Sequence, residues 1–182
     1  MAMTDGWIAA PPRVRLLVCG AADRGDDGAA LVAAATLLPA LSEAQRTLLD
    51  VRRCGQLDVE DLVGMPDGMA GLIVDAAIGV PPGSIVTVPF GRLVAGDGAV
   101  GPRSSHALPV SQVLGLAEAL GHLPRGTFVG IGGRRFGFGQ GLSRVVRAAM
   151  PAYRDAILAE IERLAVMPPD RARRPRRRSN RR

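Results

Sequence analysis

The sequence predicts an α/β fold, a three-layer sandwich in which a mostly parallel, twisted sheet carries helices on both faces. Short apolar runs without helical periodicity alternate along the chain with longer segments whose apolar residues recur at helical spacing. The first of these runs, at 13–19, is apolar at most positions and lacks helical periodicity, as expected of a strand that is buried on both faces. Hydrophobic residues make up 47% of the chain and aromatic residues only 3%, which predicts a core of Ala, Val, Leu and Ile.

The first half of the chain is predicted to alternate strand and helix. The first strand is RVRLLVC (13–19), and the helix that opens at Asp26-Asp27 should end near Leu38, because Pro39 follows. The next predicted elements are a strand at 46–53, a short helix at 58–65, a strand at 71–76 and a β-branched strand at 84–90.

The second half opens with the longest irregular segment, 91–105, which is rich in Gly and polar residues. Apolar periodicity then predicts a helix at 109–121 and a long final helix at 142–164. Between them lie a strand at 127–133 and the glycine-rich loop 134–141. Pro151 should kink the final helix or divide it in two.

Charge divides the chain into a body and a tail. All 23 basic residues are Arg, and eight of them lie in 171–182, whereas residues 1–170 carry 15 Arg and all 17 acidic residues. We therefore predict a flexible lead at 1–12, a single domain at 13–166 and a disordered tail at 167–182. The nearly neutral body argues against specific nucleic-acid binding, although the tail should attract polyanions non-specifically.

Cysteine use and hydropathy predict a protein of the cytoplasm. The two cysteines, Cys19 and Cys54, form no CxxC motif, and both are expected to be reduced thiols. Cys19 falls inside a predicted strand, where a free cysteine usually acts as a small hydrophobic residue. No segment approaches the roughly 18 continuous apolar residues of a membrane span, and no signal sequence precedes the first strand.

Asp27, Asp75 and His106 are the candidate site residues. Asp27 follows the first predicted strand, Asp75 closes GLIVDAA (71–77), and His106 lies in the loop segment 103–110. Because the carboxyl ends of parallel strands share one edge of the sheet, we expect the three side chains to converge. Two carboxylates and an imidazole suit zinc, nickel or another divalent first-row ion. The neighbouring Asp26 is expected to cap the helix instead, since adjacent helical residues point about 100° apart.

Other site motifs are weak. VCGAADRGDDG (18–28) is not a dinucleotide fingerprint and lacks the lysine of a P-loop. The glycines of GIGGRRFGFGQG (130–141) could cradle an anion, but strand-to-helix turns explain them first. A GxSxG nucleophile motif is absent from the sequence.

Three segments, in order, resemble the hydrogenase maturation endopeptidases. GAADRGDDGAA (20–30) is similar to the family's first acidic motif, VDAAIGVPPG (74–83) to its Asp-Ala…Pro-Gly segment, and SSHALPVSQVL (104–114) to its Ser/Thr-x-His-x-Leu segment. The resemblance covers about residues 13–166. It places the family's metal ligands, which are also its catalytic residues, at Asp27, Asp75 and His106.

The resemblance implies an endopeptidase that removes a C-terminal segment from the immature large subunit of a nickel–iron hydrogenase. The cut would follow nickel insertion, and the nickel would be carried by the substrate, with zinc or another divalent ion as an alternative occupant of the site. Asp75 is the preferred candidate for a general base.

Two alternatives stay open because the chain departs from the family pattern. Ala21, Val18 and Ala30 replace residues of the first motif, and Gly132 to Arg134 replace a Gln-Pro-Glu segment. One alternative is a catalytically impaired, metal-sensing assembly factor, and the other is a peptidase of the same fold with a different protein substrate.

Overall fold

The predicted three-layer α/β architecture is confirmed by the computed structural model, which describes residues 12–96 and 108–168. Five strands form one sheet in the order β2-β1-β3-β5-β4. The pairs β1–β2, β1–β3 and β3–β5 are parallel, and β4 runs antiparallel along β5 at one edge. The strands are β1 Val14–Cys19, β2 Leu49–Cys54, β3 Ala70–Ala77, β4 Ile85–Pro89 and β5 Gly126–Gly132.

Helices cover both faces of this sheet. Helix α1 packs on α6 over one face, and α3, α4 and α5 pack together over the other. The helices are α1 Ala29–Ala40, α2 Glu43–Thr47, α3 Val59–Val63, α4 Phe90–Ala95, α5 Val110–Ala119 and α6 Arg144–Val166. None of the helices within the described ranges is both long enough and apolar enough to cross a membrane.

The continuous apolar runs are explained by alternation of side chains across the buried sheet. In β1, Leu16 and Val18 join the core under α1 and α6, while Leu17 and Cys19 join the core under α3 and α5. Because successive strand residues point to opposite faces, a strand covered on both sides is apolar on both faces. The buried charged residues of β1 and β3 are Arg15, which pairs with Asp50 at 2.7 Å, and Asp75. All six residues of β1 and all eight of β3 are buried.

Several predicted helix boundaries were wrong. Helix α1 continues through Pro39 to Ala40, and α6 continues through Pro151, so Pro151 does not divide it in two; the alternative, a kink at Pro151, stays a prediction. The segment 91–105, predicted to be irregular, begins with α4, and its residues 97–105 lie outside the described ranges.

The second strand was predicted three residues too early. Residues 43–47 form the short helix α2, which begins with a capping box in which Ser42 and Gln45 each accept a backbone N–H from the other. The remaining strands agree with the predictions to within one or two residues.

Candidate active site

The candidate site lies where the helix connections change sides of the sheet. The chain leaves β1 through α1 on one face to reach β2, and leaves β2 through α3 on the other face to reach β3. β1 and β3 are nevertheless neighbours. In an open α/β sheet, a crevice opens outside the carboxyl ends of two such strands, and ligands bind there.

Asp27 is brought to this edge by a tight turn after β1. Gly20 adopts a φ of +114°, and a Cβ on it would lie 2.1 Å from the Asp27 carbonyl oxygen, so a side chain cannot be accommodated. The close approach allows the Ala21 N–H to donate to Asp27 Oδ2 over 2.8 Å. Asp27 sits in the 3₁₀ turn Gly25–Gly28 and is fully buried.

Asp75 reaches the same edge from β3 and is also fully buried. Burial raises the pKa of Asp75 to about 8; the Ala76 N–H, which donates to Oδ1 over 2.7 Å, opposes this increase, and the negative charge of Asp27 adds to it. A Cβ on Gly20 would also lie 3.7 Å from Asp75 Oδ1, so Gly20 lies next to both acidic residues. The structure thus brings two of the three predicted site residues together.

Tyr153 fixes the backbone that carries Asp75. Its hydroxyl donates to the carbonyl oxygens of Asp75 and Val129, at 3.1 Å and 3.3 Å. The side chain is fully buried, and burial together with the nearby Asp75 raises the pKa of Tyr153 well above its usual value. Helix α6 therefore anchors the end of β3 and the middle of β5 through one neutral phenol.

The third predicted residue, His106, lies outside the described residues. Within residues 12–96 and 108–168, no cluster of three or more His, Cys, Asp or Glu side chains could hold a metal ion. The metal-binding and catalytic roles of Asp27, Asp75 and His106 thus stay predictions.

Asp26 does not cap its own helix, contrary to the prediction. Its carboxylate accepts three backbone N–H groups from the far end of the chain, those of Arg134 (2.8 Å), Arg135 (3.0 Å) and Ser143 (2.6 Å). The Asp26 N–H in turn donates to the Arg135 carbonyl over 2.7 Å. Burial acts to raise the pKa of Asp26, but these hydrogen bonds outweigh it and lower the pKa. Asp26 thus secures the glycine-rich loop 134–141 and the start of α6 beside Asp27.

An apolar groove of about 370 Å³ runs beside the 3₁₀ turn, between α1 and the start of α6. Leu31, Val32 and Leu142 supply its aliphatic lining, and the one charged residue in the lining is Arg53. Helix α1 carries no charged residue, and Val32 is 42% exposed. An exposed apolar surface next to a candidate site is typical of a binding surface.

Sequence reasoning missed the tertiary partners of several residues. The groove, the Asp26 contacts and the Tyr153 anchor each join segments far apart in the chain, so no local pattern indicates them. An Asp-Asp pair flanked by glycines does carry one usable signal: two adjacent carboxylates point in different directions and can serve different segments.

Comparison with solved structures finds the same fold in hydrogenase maturation proteases. The HybD endopeptidase of E. coli superposes with a TM-score of 0.66 at 20% identity, covering 83% of this chain and 93% of that chain. HybD of Thermococcus kodakarensis is 27% identical, with a TM-score of 0.59, covering 84% of this chain and 99% of the other. HycI of Thermococcus kodakarensis superposes with a TM-score of 0.59 at 19% identity, covering 85% of this chain and 95% of that chain. No protein-family model and no curated protein matches the sequence.

The fold is that of an α/β protein of the maturation-protease type, and paired carboxylates lie at its switch point. The resemblance to the hydrogenase maturation endopeptidases is thus confirmed at the level of the fold. The structural neighbours are endopeptidases or proteases, which agrees with the prediction of a peptidase.

Proposed function

We propose that this protein is the endopeptidase that removes a C-terminal segment from the precursor of a nickel–iron hydrogenase large subunit, after nickel has been inserted. The observation that carries this proposal is the pair of fully buried carboxylates, Asp27 and Asp75, at the switch point. The likeness in fold to hydrogenase maturation proteases supports the type of substrate. The sequence prediction of a cytoplasmic protein is part of the proposal.

The carboxylate pair suits a divalent cation by its chemistry. Two ionised carboxylates buried side by side would repel each other; burial, together with the negative charge of Asp27, raises the pKa of Asp75. A bound cation or a shared proton would remove this repulsion, and carboxylate oxygens are suitable ligands for a divalent first-row ion. Asp27 and Asp75 would contact the nickel carried by the precursor, with His106 as the third ligand; zinc is the alternative ion. The ion supplies positive charge that orients the scissile segment.

The residues of the chain itself account for positioning and for proton transfer. The Ala21 N–H orients Asp27, and the Ala76 N–H and Tyr153 orient Asp75. With a pKa of about 8, Asp75 is able to exchange a proton near neutral pH, which is what a general base for water requires. The apolar groove beside Gly25 and Gly28 would hold an extended part of the precursor.

The decisive experiment follows the C-terminus of the precursor by mass spectrometry. Nickel-loaded large-subunit precursor should be shortened by one cut, whereas precursor without nickel should remain intact. Asp75→Asn and Asp27→Asn keep the side-chain volume but remove a negative charge, so cleavage should fall at least a hundredfold while the proteins stay folded. Asp67→Asn, which removes an exposed carboxylate from a turn, is the matched control and should cleave like the wild type.

Each result separates the proposal from its alternatives. Wild-type rates in both Asp75→Asn and Asp27→Asn would contradict the carboxylate mechanism. Tight binding of the precursor without any cut would instead identify an assembly factor. Failure to bind the precursor at all would point to another protein substrate.

A further inference from the structure

Two free thiols lie side by side at the same edge of the sheet as the carboxylates. Cys19 ends β1 and Cys54 ends β2, and the two are direct partners in the parallel register. Their sulfur atoms are 3.5 Å apart. Adjacent strands are about 4.8 Å apart, which falls within the Cα separation of roughly 4.4–6.8 Å that a disulfide requires. Side-chain rotation alone can therefore bring the sulfurs to bonding distance.

We propose that Cys19 and Cys54 are a redox-active dithiol that closes to an intramolecular disulfide when the protein meets a hydroperoxide. This inference concerns residues to which the proposed peptidase function gives no role. It does not depend on that function.

The different exposure of the two sulfurs sets the order of events. Cys54 lies on the edge strand β2 and is partly exposed, and open space adjoins the next residue, Gly55. Cys19 is fully buried, and its hydrogen bond with Cys54 together with its burial raises the pKa of its thiol well above the usual value. Oxidant therefore reaches Cys54 first, and Cys19 acts second as the resolving thiol.

The reaction balances with a hydroperoxide as the two-electron oxidant. The Cys54 thiolate attacks the terminal peroxide oxygen, the O–O bond breaks, and the displaced oxygen takes a proton and leaves as water or an alcohol. Cys19 Sγ then attacks the sulfur of the resulting sulfenic acid. The S–O bond breaks, and the hydroxyl leaves as water with the proton of Cys19.

The disulfide would lie against the wall of the carboxylate site. Cys19 precedes Gly20, where a Cβ would meet both Asp27 and Asp75. The Gly20 N–H donates to the carbonyl of Gly55, the residue after Cys54, over 3.2 Å. A covalent link between β1 and β2 at this point would therefore tie together the two strand ends that precede the turn carrying Asp27.

The test treats the folded full-length protein with hydrogen peroxide, quenches with acid, alkylates the remaining thiols and maps the peptides by mass spectrometry. Wild-type protein should lose both thiols and yield one peptide pair joined through Cys19 and Cys54 within a monomer. Dithiothreitol should restore both thiols. Under the same conditions dimedone should label Cys54 in Cys19→Ser, whereas Cys19 in Cys54→Ser should stay unlabelled.

Several outcomes overturn the proposal. Oxidation of Cys54 to the sulfinic acid while Cys19 remains alkylatable would show that the pair does not close. Disulfides found only between two protein molecules would also show that Cys19 and Cys54 do not form an intramolecular disulfide. The wild-type result decides whether the Cys19–Cys54 disulfide forms, even if a serine variant fails to fold. Circular dichroism shows whether each serine variant is folded.

Discussion

Replacing Asp26 with alanine should destabilise the protein far more than the loss of an exposed helix cap. The carboxylate is fully buried and accepts the N–H groups of Arg134, Arg135 and Ser143. Truncation removes all three hydrogen bonds at once. It also leaves the turn that carries Asp27 without its attachment to the start of α6.

The magnitude follows from the surroundings of the three donors. Ser143 is buried, and an unsatisfied buried N–H costs about 1–3 kcal/mol. Arg134 and Arg135 are exposed, so water can replace their bonds at a net loss of about 0.5–1.5 kcal/mol each. The free energy of unfolding should therefore fall by roughly 2–6 kcal/mol, a large share of the roughly 5–15 kcal/mol of a typical domain.

Urea unfolding at pH 7 measures this loss. Asp23→Ala, which removes an exposed carboxylate three residues away, is the control and should change stability by less than about 0.5 kcal/mol. The loss of stability in Asp26→Asn should fall between the losses in Asp26→Ala and Asp23→Ala. The amide of asparagine keeps one acceptor oxygen, but its N–H groups would face backbone N–H donors. A loss below about 1 kcal/mol in Asp26→Ala would refute the reasoning from the hydrogen bonds.

The pH dependence gives an independent check on Asp26. Its pKa is lower in the folded protein than in the unfolded chain, so the folded state binds fewer protons and the contribution to stability is present above the unfolded pKa of about 3.9. The contribution is lost as the pH falls through the lower, folded pKa. The stability difference between wild type and Asp26→Ala should therefore shrink below about pH 4.

Four further predictions follow from the site and the tail. Because the pKa of Asp75 is about 8 in the folded protein and about 3.9 when unfolded, wild-type stability should fall as the pH rises between these values, and Asp75→Asn should remove up to about 4 kcal/mol of that dependence in melts at pH 5 and pH 9. Binding of Ni²⁺ or Zn²⁺ at pH 7 should release about one proton from Asp75, which calorimetry in buffers of different ionisation enthalpy would detect; zero release would contradict its role as a ligand. Tyr153→Phe should lower stability by about 1–3 kcal/mol in urea, because the buried carbonyls of Asp75 and Val129 lose their donor. Deleting 169–182 should leave the melting temperature unchanged and abolish retention on polyanions at low salt; a lower melting temperature would contradict an unfolded tail.

The strands and the approximate place of Asp27 and Asp75 could be predicted from the sequence because both depend on local patterns. A strand covered on both faces is apolar at most positions, so β1 and β3 stand out as largely apolar runs. A carboxylate at the end of such a run is costly to bury without a partner, which marks Asp75 as a candidate. The three-segment order that resembles the family adds to this local information.

What the tertiary structure decided is which distant groups meet. Asp26 was predicted to cap the helix that follows it, which would pair its carboxylate with backbone N–H groups nearby in the chain. The N–H groups that its carboxylate accepts instead lie 108 to 117 residues away. The register between β1 and β2 places Cys19 beside Cys54, although the spacing of the two cysteines in the sequence does not predict that they are neighbours. Packing on the sheet likewise keeps α6 in one piece through Pro151. Local propensity determines the elements, whereas contacts across the chain determine their partners, because those contacts form only when the layers pack together.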